Sequence, residues 1–186
     1  FQNPGMIWVD DGATLYEAVD GKAEKSCKAC HGKAEVAMKG VATTYPKYDE
    51  DTKKIKNIEA QVNRCRTKHM QAKPWKYESG QLLAMTVFIR HQSRGMPMNV
   101  SVDGPAVPFF QKGEKFYKQR RGALDMACSN CHVDNAGKNA RANLLSQGQT
   151  NGFPTYRLKW QKVGSTHRRF RGCNKQVRAT PYKYAS

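Results

Sequence analysis

Apolar residues recur at helical spacing in a few stretches of this chain, and polar or Pro/Gly-rich segments separate them. The clearest stretch is Ser79 to Arg94, where Leu82, Met85 and Ile89 fall on one helical face. Ser79 is the candidate N-cap and Gly95 the natural stop. Asp11 to Val19 reads as a short helix with Leu15 and Val19 on one side, and Ile58 to Met70 as a helix broken by Pro74-Trp75. A further helix opens at Phe109, with Gly113, Phe116 and Tyr117 as its packing face. Val41 to Lys56 is polar and Lys-rich, while Met96 to Pro108 holds Pro97, Gly104, Pro105 and Pro108 and reads as a linker. The pattern predicts a mainly α chain with a first domain over residues 1–95, a linker over 96–108 and a second domain over 109–186.

Two units in 186 residues leave each with little core, because only 39% of residues are hydrophobic. Units below ~70–80 residues usually need a covalent or metal staple. The cysteines supply one. Cys27-Lys28-Ala29-Cys30-His31 and Cys128-Ser129-Asn130-Cys131-His132 are two copies of Cys-x-x-Cys-His, the attachment signature of c-type haem. Cys27 and Cys30, and likewise Cys128 and Cys131, would bond the haem vinyl groups, with His31 and His132 as proximal iron ligands. Each porphyrin would then replace protein core. The expected fold is two tandem class I cytochrome c-like domains, each around a covalent haem c. The second stops without an equivalent of the Ser79–Arg94 helix.

Net charge is +17, and four propionates would leave it strongly positive. Such a field attracts anions and acidic partners. Nucleic acid is disfavoured because no known binding module accompanies the charge. A small inorganic anion or an acidic carrier protein suits it better, with plain solubility as the bland reading. No apolar run approaches the ~20 residues of a membrane span. Phe1 reads as the start of a mature or trimmed chain. Haem c is attached outside the bacterial cytoplasm, so a periplasmic location is expected.

The halves share a layout: a helix, the haem motif, a Pro/Tyr segment (Tyr45-Pro46, then Pro154-Thr155-Tyr156) and a cysteine among basic residues. This suggests internal duplication. Cys65 and Cys173 occupy the window where a distal ligand belongs, and a thiolate there would favour ferric iron. The alternatives are a Cys65–Cys173 disulfide, ligation by His69 or Met70 in the first half, and ligation by His167 in the second. Cys65 and His69 are spaced to share a helix face, while His91, Met96 and Met98 read as core or surface.

Beyond these patterns, Arg121 to His132, Leu145 to Leu158 and Arg169-Phe170-Arg171-Gly172-Cys173 resemble the dihaem SoxA family of the SoxAX cytochromes. Asn63-Arg64-Cys65-Arg66 and Ser93-Arg94-Gly95-Met96-Pro97 match it too. Family members usually carry an extra N-terminal segment and a closing C-terminal helix. The resemblance implies an L-cysteine S-thiosulfotransferase of thiosulfate oxidation. In it, thiosulfate is joined to a cysteine of the SoxYZ carrier protein and electrons pass to a cytochrome c acceptor. It implies a monohaem SoxX partner and a second haem that is the reactive one. Cys173 matches the axial cysteine found as a persulfide and Arg169 the active-site arginine; Cys65 matches the ligand of a remote first haem.

The residues suit that chemistry on physical grounds. Thiosulfate and a carrier thiolate are both anions, and Arg169, Arg171 and Lys175 can offset their repulsion. Arg178 is better placed as a propionate partner. The competing readings are a dihaem electron carrier whose cysteines only set potential, and a module that docks an anionic protein.

Overall fold

Serine and asparagine side chains start three of the helices that carry the chemistry. The computed structural model describes residues 3–140 and 142–184. Its contacts divide the chain into two units: Phe1–Ser101 with Pro154–Ser165, and Val102–Phe153 with Thr166–Ser186. The first contains helices α1 (Met6–Glu17), α2 (Cys27–His31), α3 (Ala34–Ala37), α4 (Ile58–Cys65) and α5 (Gly80–His91). Ser26 Oγ accepts from the Ala29 amide at α2, Asn57 Oδ1 from Ala60 at α4, and Ser79 Oγ from Leu82 at α5. Each satisfies an amide the helix leaves unpaired.

Helices α1 and α5 pack together at the core. The buried residues of α1 are Val9, Gly12 and Tyr16, and those of α5 include Leu82, Leu83, Met85, Phe88 and Ile89. Each large apolar side chain buried there contributes ~1.5–3 kcal/mol. At Gly12 a β-carbon would overlap the Ala84 carbonyl and Phe88 Cβ, so the missing side chain is what lets the backbones approach. Tyr16 and Phe88 then meet with ring centroids 5.5 Å apart.

The expected helix ends Asp11–Val19 need correction. The helix begins at Met6, and Ala18 turns to extended backbone, which leaves Val19 outside it and 66% exposed. Tyr16, rather than Val19, completes the buried face. The polar stretch 41–56 contains a 3₁₀ turn (Val41–Thr44) and an antiparallel hairpin pairing Lys47–Asp49 with Lys54–Lys56. That hairpin buries Asp49, which accepts from Lys56 Nζ at 2.7 Å, Arg64 at 2.8 Å and Thr52 Oγ1 at 2.7 Å.

The second unit contains α6 (Val107–Lys118), α7 (Cys128–His132) and α8 (Thr166–Gln176). The linker expected over 96–108 ends early, because Gly104–Ala106 forms a 3₁₀ turn and Pro108 sits in the first turn of α6. Proline fits there, since that amide has no helical partner. Residues 109–186 are not one continuous unit either. Thr155–Arg157 and Lys162–Gly164 pair as a hairpin within the first unit, where the Ser165 amide donates to Glu78 at 3.1 Å. Among the described residues, the hydrophobic positions buried in the second unit are Ala106, Ala127 and Ala179. Of the expected α6 face, Phe116 and Tyr117 are half-buried and Gly113 is exposed.

Gly12→Val should destabilise the first unit by about 1–3 kcal/mol through overpacking in a denaturant titration, while Gly113→Ala, where a methyl meets open space, should be neutral or stabilising by up to ~1 kcal/mol. The bond from Lys56 and those from its other neighbours hold the Asp49 carboxyl well below the usual carboxylate range. Its contribution is therefore full above pH ~4 and is lost as pH falls through the folded value. Asp49→Asn should lower stability at neutral pH and flatten the acid limb of a stability–pH curve; unchanged curves would remove Asp49 from the account.

Candidate functional site

Each Cys-x-x-Cys-His helix is preceded by a tight turn. In the first unit the turn is closed by a bridge between Asp20 and Lys25, in the second by one between Arg121 and Met126. Gly21 and Gly122 open these turns at φ of 75° and 70°. Each turn donates two backbone amides to the segment just beyond a candidate distal cysteine. Lys22 and Ala23 donate to the Gln71 and Met70 carbonyls, and Ala123 and Leu124 donate to those of Arg178 and Val177. A β-carbon at Gly21 would strike Met70 O, and one at Gly122 would strike Val177 O. The sequence layout hinted at repetition, and this clamp is its physical content: it ties the segment after Cys65 or Cys173 to the Cys-x-x-Cys-His motif of the same unit.

In the first unit the clamp encloses an apolar cavity of about 780 Å³ counting its mouth. Cys27, His31 and Cys65 line it, together with Tyr16, Met38, Tyr45, Ile58, Val62, Met85 and Ile89. A soft thiol and an imidazole in an apolar pocket are a donor set that fits haem iron. Cys30 is exposed beside it. Burial pushes the Cys27 thiol up, and the charge of Cys65, which lines the same cavity, adds to the rise. Gln61 Nε2 lies 3.3 Å from Cys65 Sγ. His69 does not share this face. Arg66–Met70 is a π turn, and its i→i+5 geometry carries Met70 into the cavity and leaves His69 exposed.

The second unit repeats the arrangement. Burial raises the Cys128 thiol, and the charge of Cys173 raises it further. Burial likewise raises Tyr117, the counterpart of Tyr16, with Cys128 and Cys131 adding to it. None of the six cysteines is in a disulfide, and the charge of Cys65 acts on Cys27 and that of Cys173 on Cys128. His132 Nδ1 lies 2.8 Å from the Ser146 carbonyl oxygen. A donated Nδ1–H there leaves Nε2 unprotonated and able to take a metal. The His132 ring packs over Gly148, where any side chain would displace it. A core of buried alanines also fits a large apolar plate better than a self-sufficient protein interior.

Helix α8 carries Arg169 and Cys173 one turn apart and therefore on one face, both half-buried. The helix holds Arg168, Arg169, Arg171 and Lys175 and no carboxylate. Arg171 is engaged by the Tyr182 carbonyl and lies 4.7 Å from the Tyr184 ring centre. Arg169 has no ion-pair or hydrogen-bond partner among the described residues. The first unit differs: Arg64 pairs with Asp49 and Asp51, and Arg66 with Asp20. Arg178 is exposed and adopts φ 56° in the clamp, where its carbonyl accepts from Ala123. His167 lies on α8, half-buried, while Met96 and Met98 are exposed.

Residues 11–98 match the family described as SoxA/TsdA, cytochrome c domain. The chain is 46% identical over 180 residues to the L-cysteine S-thiosulfotransferase subunit SoxA of Pseudaminobacter salicylatoxidans, covering 96% of this chain and 63% of that one. It is 44% identical to the subunit of the same name from Paracoccus pantotrophus, covering 100% of this chain and 64% of the relative. It superposes on a crystal structure of SoxXA from P. pantotrophus with a TM-score of 0.94 and 43% identity, covering 99% of this chain and 69% of that chain.

This chain belongs to the SoxA family.

It spans just under two thirds of the length of those curated SoxA relatives. A cytochrome c domain implies covalent haem c, which suits the cavity around Cys27 and His31. No helix among the described residues is long and apolar enough to cross a membrane. Sequence reasoning had no role for Asp20, Arg121, Ser146 or Gly148 of this SoxA-family chain. The faint signal was the shared Gly before each attachment motif, at Gly21 and Gly122.

Gly21→Ala and Gly122→Ala should each cost more than about 2 kcal/mol, since the substitution adds overlap to a left-handed backbone. Hydrogen exchange should locate the loss at the Ala23 amide in the first variant and the Leu124 amide in the second. Uniform loss across both units would contradict two separate clamps.

Proposed function

We propose that this chain is the haem-bearing part of a SoxA subunit that joins thiosulfate to a cysteine of the SoxYZ carrier protein in the periplasm. It works in a heterodimer with the monohaem SoxX subunit and passes electrons to a cytochrome c acceptor. Its two units are tandem cytochrome c-like domains. Cys27, Cys30, His31 and Cys65 would hold one haem c, two through thioether bonds and two as iron ligands. Cys128, Cys131, His132 and Cys173 would hold the other in the same way. The observation that carries the reading is the partnerless Arg169 one helical turn before Cys173 on the carboxylate-free helix α8. The names of the relatives support the same activity for the longer proteins.

The residues perform the chemistry as follows. Arg169 presents a planar fork of donors to the thiosulfate dianion and offsets its repulsion from the Cys173 sulfur. A bond forms between Cys173 sulfur and the terminal sulfur of thiosulfate, which releases two electrons. Haem held by Cys128, Cys131 and His132 would supply the one-electron chemistry that passes those electrons to the cytochrome acceptor. The carrier cysteine thiolate then attacks the same terminal sulfur, and Cys173 leaves as a thiolate. Summed over both steps, one carrier thiol and one thiosulfate become the S-thiosulfonate adduct, one proton and two electrons. The +17 balance of the chain draws anionic substrate and an acidic carrier to the surface.

The test is mass spectrometry of the carrier protein after incubation with thiosulfate, a ferricytochrome acceptor and the full SoxAX complex. Cys173→Met should abolish carrier loading while haem reduction and reoxidation persist with a shifted potential. Full loading by that variant would return the chain to plain electron transfer. Arg169→Ala should lower kcat/KM for thiosulfate by about 10–150-fold, the equivalent of ~1.5–3 kcal/mol for a charged hydrogen bond.

A further inference from the structure

One pair of side chains spans each clamp, and its polarity is inverted between the units. In the first, Asp20 on the turn accepts from Arg66, the residue after Cys65, at 2.7 Å. In the second, Arg121 on the turn donates at 2.6 Å to Asn174, the residue after Cys173. The positions correspond, since Asp20 precedes Gly21 and Arg121 precedes Gly122. Both guanidinium groups stack on aromatic rings. Arg66 lies 3.7 Å from the Trp75 ring centre, and Arg121 lies 4.9 Å from that of Phe116 and 4.7 Å from that of Tyr182. Arg66 lies near enough to Cys27, and Arg121 to Cys128, for each charge to act on that thiol.

What differs is the compensation. Arg66 is buried and lines the cavity, but Asp20 neutralises it, and that carboxyl is held ionised below its usual range by the Arg66 hydrogen bond. The remaining Arg66 partner is the Lys73 carbonyl, at 3.1 Å from Nε and 3.0 Å from an Nη. The partners of Arg121 are all uncharged: Asn174 Oδ1, the Thr180 carbonyl at 3.4 Å and the two rings. The nearby carboxylate of Asp125 is paired with Arg120 at 2.9 Å.

We infer that the inverted pair is a charge setting for two unlike haems: Arg121 adds an uncompensated positive charge beside the second and raises its reduction potential, whereas Asp20 cancels the same push from Arg66 at the first. A fixed cation beside ferric iron disfavours the oxidised state, and limited solvent keeps the effect from being screened. The second centre is thereby made the better electron acceptor, which serves an oxidative bond-forming step at Cys173. The inference rests on the two-haem, cysteine-ligated reading above.

The experiment is a potentiometric titration of the full haem-loaded complex, with each haem followed by visible absorption and electron paramagnetic resonance. Arg121→Gln should move the midpoint of the second haem downward by about tenfold in the ferric-to-ferrous equilibrium, ~59 mV for one electron, and leave the first in place. Asp20→Asn should move the midpoint of the first haem upward. The double variant Arg121→Asp, Asn174→Arg restores a bonded pair with the polarity of the first unit, so it keeps the clamp bridged. It too should lower the second midpoint. Unmoved midpoints in the double variant and in Asp20→Asn would overturn the charge setting. The unsubstituted protein tests the underlying reading separately. A haem content other than two in this chain, or ferric spectra without thiolate ligation, would overturn that reading and this inference with it.

Discussion

Both units share one constraint: two backbone hydrogen bonds run from the turn before the Cys-x-x-Cys-His motif to carbonyls in the segment after Cys65 or Cys173. The joined segments are far apart in sequence, and the turn brings them together locally. Because Gly21 and Gly122 adopt positive φ without a side chain, their backbones lie against Met70 and Val177. The helix bearing Cys65 or Cys173 is thereby referenced to the helix bearing His31 or His132, independently of the rest of the fold. One short device placed twice suffices to build two sites in a small chain.

The two sites differ in how much protein supports them. The first has a real apolar core between α1 and α5, with Leu82, Leu83 and Met85 almost wholly buried. The second buries alanines, while Phe110 and Phe170 stay exposed. A unit of that kind draws its cohesion from the clamp and the Arg121 bonds.

Much of this was legible in the sequence, and the reasons are chemical. The spacing of Cys27, Cys30 and His31 is local, so the attachment signature reads without any structure. The Ser79 cap and the Leu82–Met85–Ile89 face also read correctly, because capping and amphipathic spacing are local rules. What failed was non-local or depended on register. A π turn needs only one extra residue, yet it exchanged His69 for Met70 in the cavity. The hairpin at 155–164 belongs with the first unit through contacts no window of sequence contains. The α1 boundary moved because Tyr16, not Val19, meets Phe88 on the facing helix.

The arginines explain why two similar sites need not share one chemistry. Beside Cys65, Arg64 and Arg66 are both held in ion pairs with Asp49, Asp51 and Asp20. Their charge is cancelled and their donors are occupied, so an incoming dianion would have to break a partly buried pair to bind. On α8 there is no carboxylate, and among the described residues Arg169 has no ion-pair or hydrogen-bond partner. Breaking a buried pair costs several kcal/mol, which is more than a single new anion contact returns. The electrostatic difference between the surroundings of Cys65 and Cys173 thus reduces to where the chain places its few carboxylates.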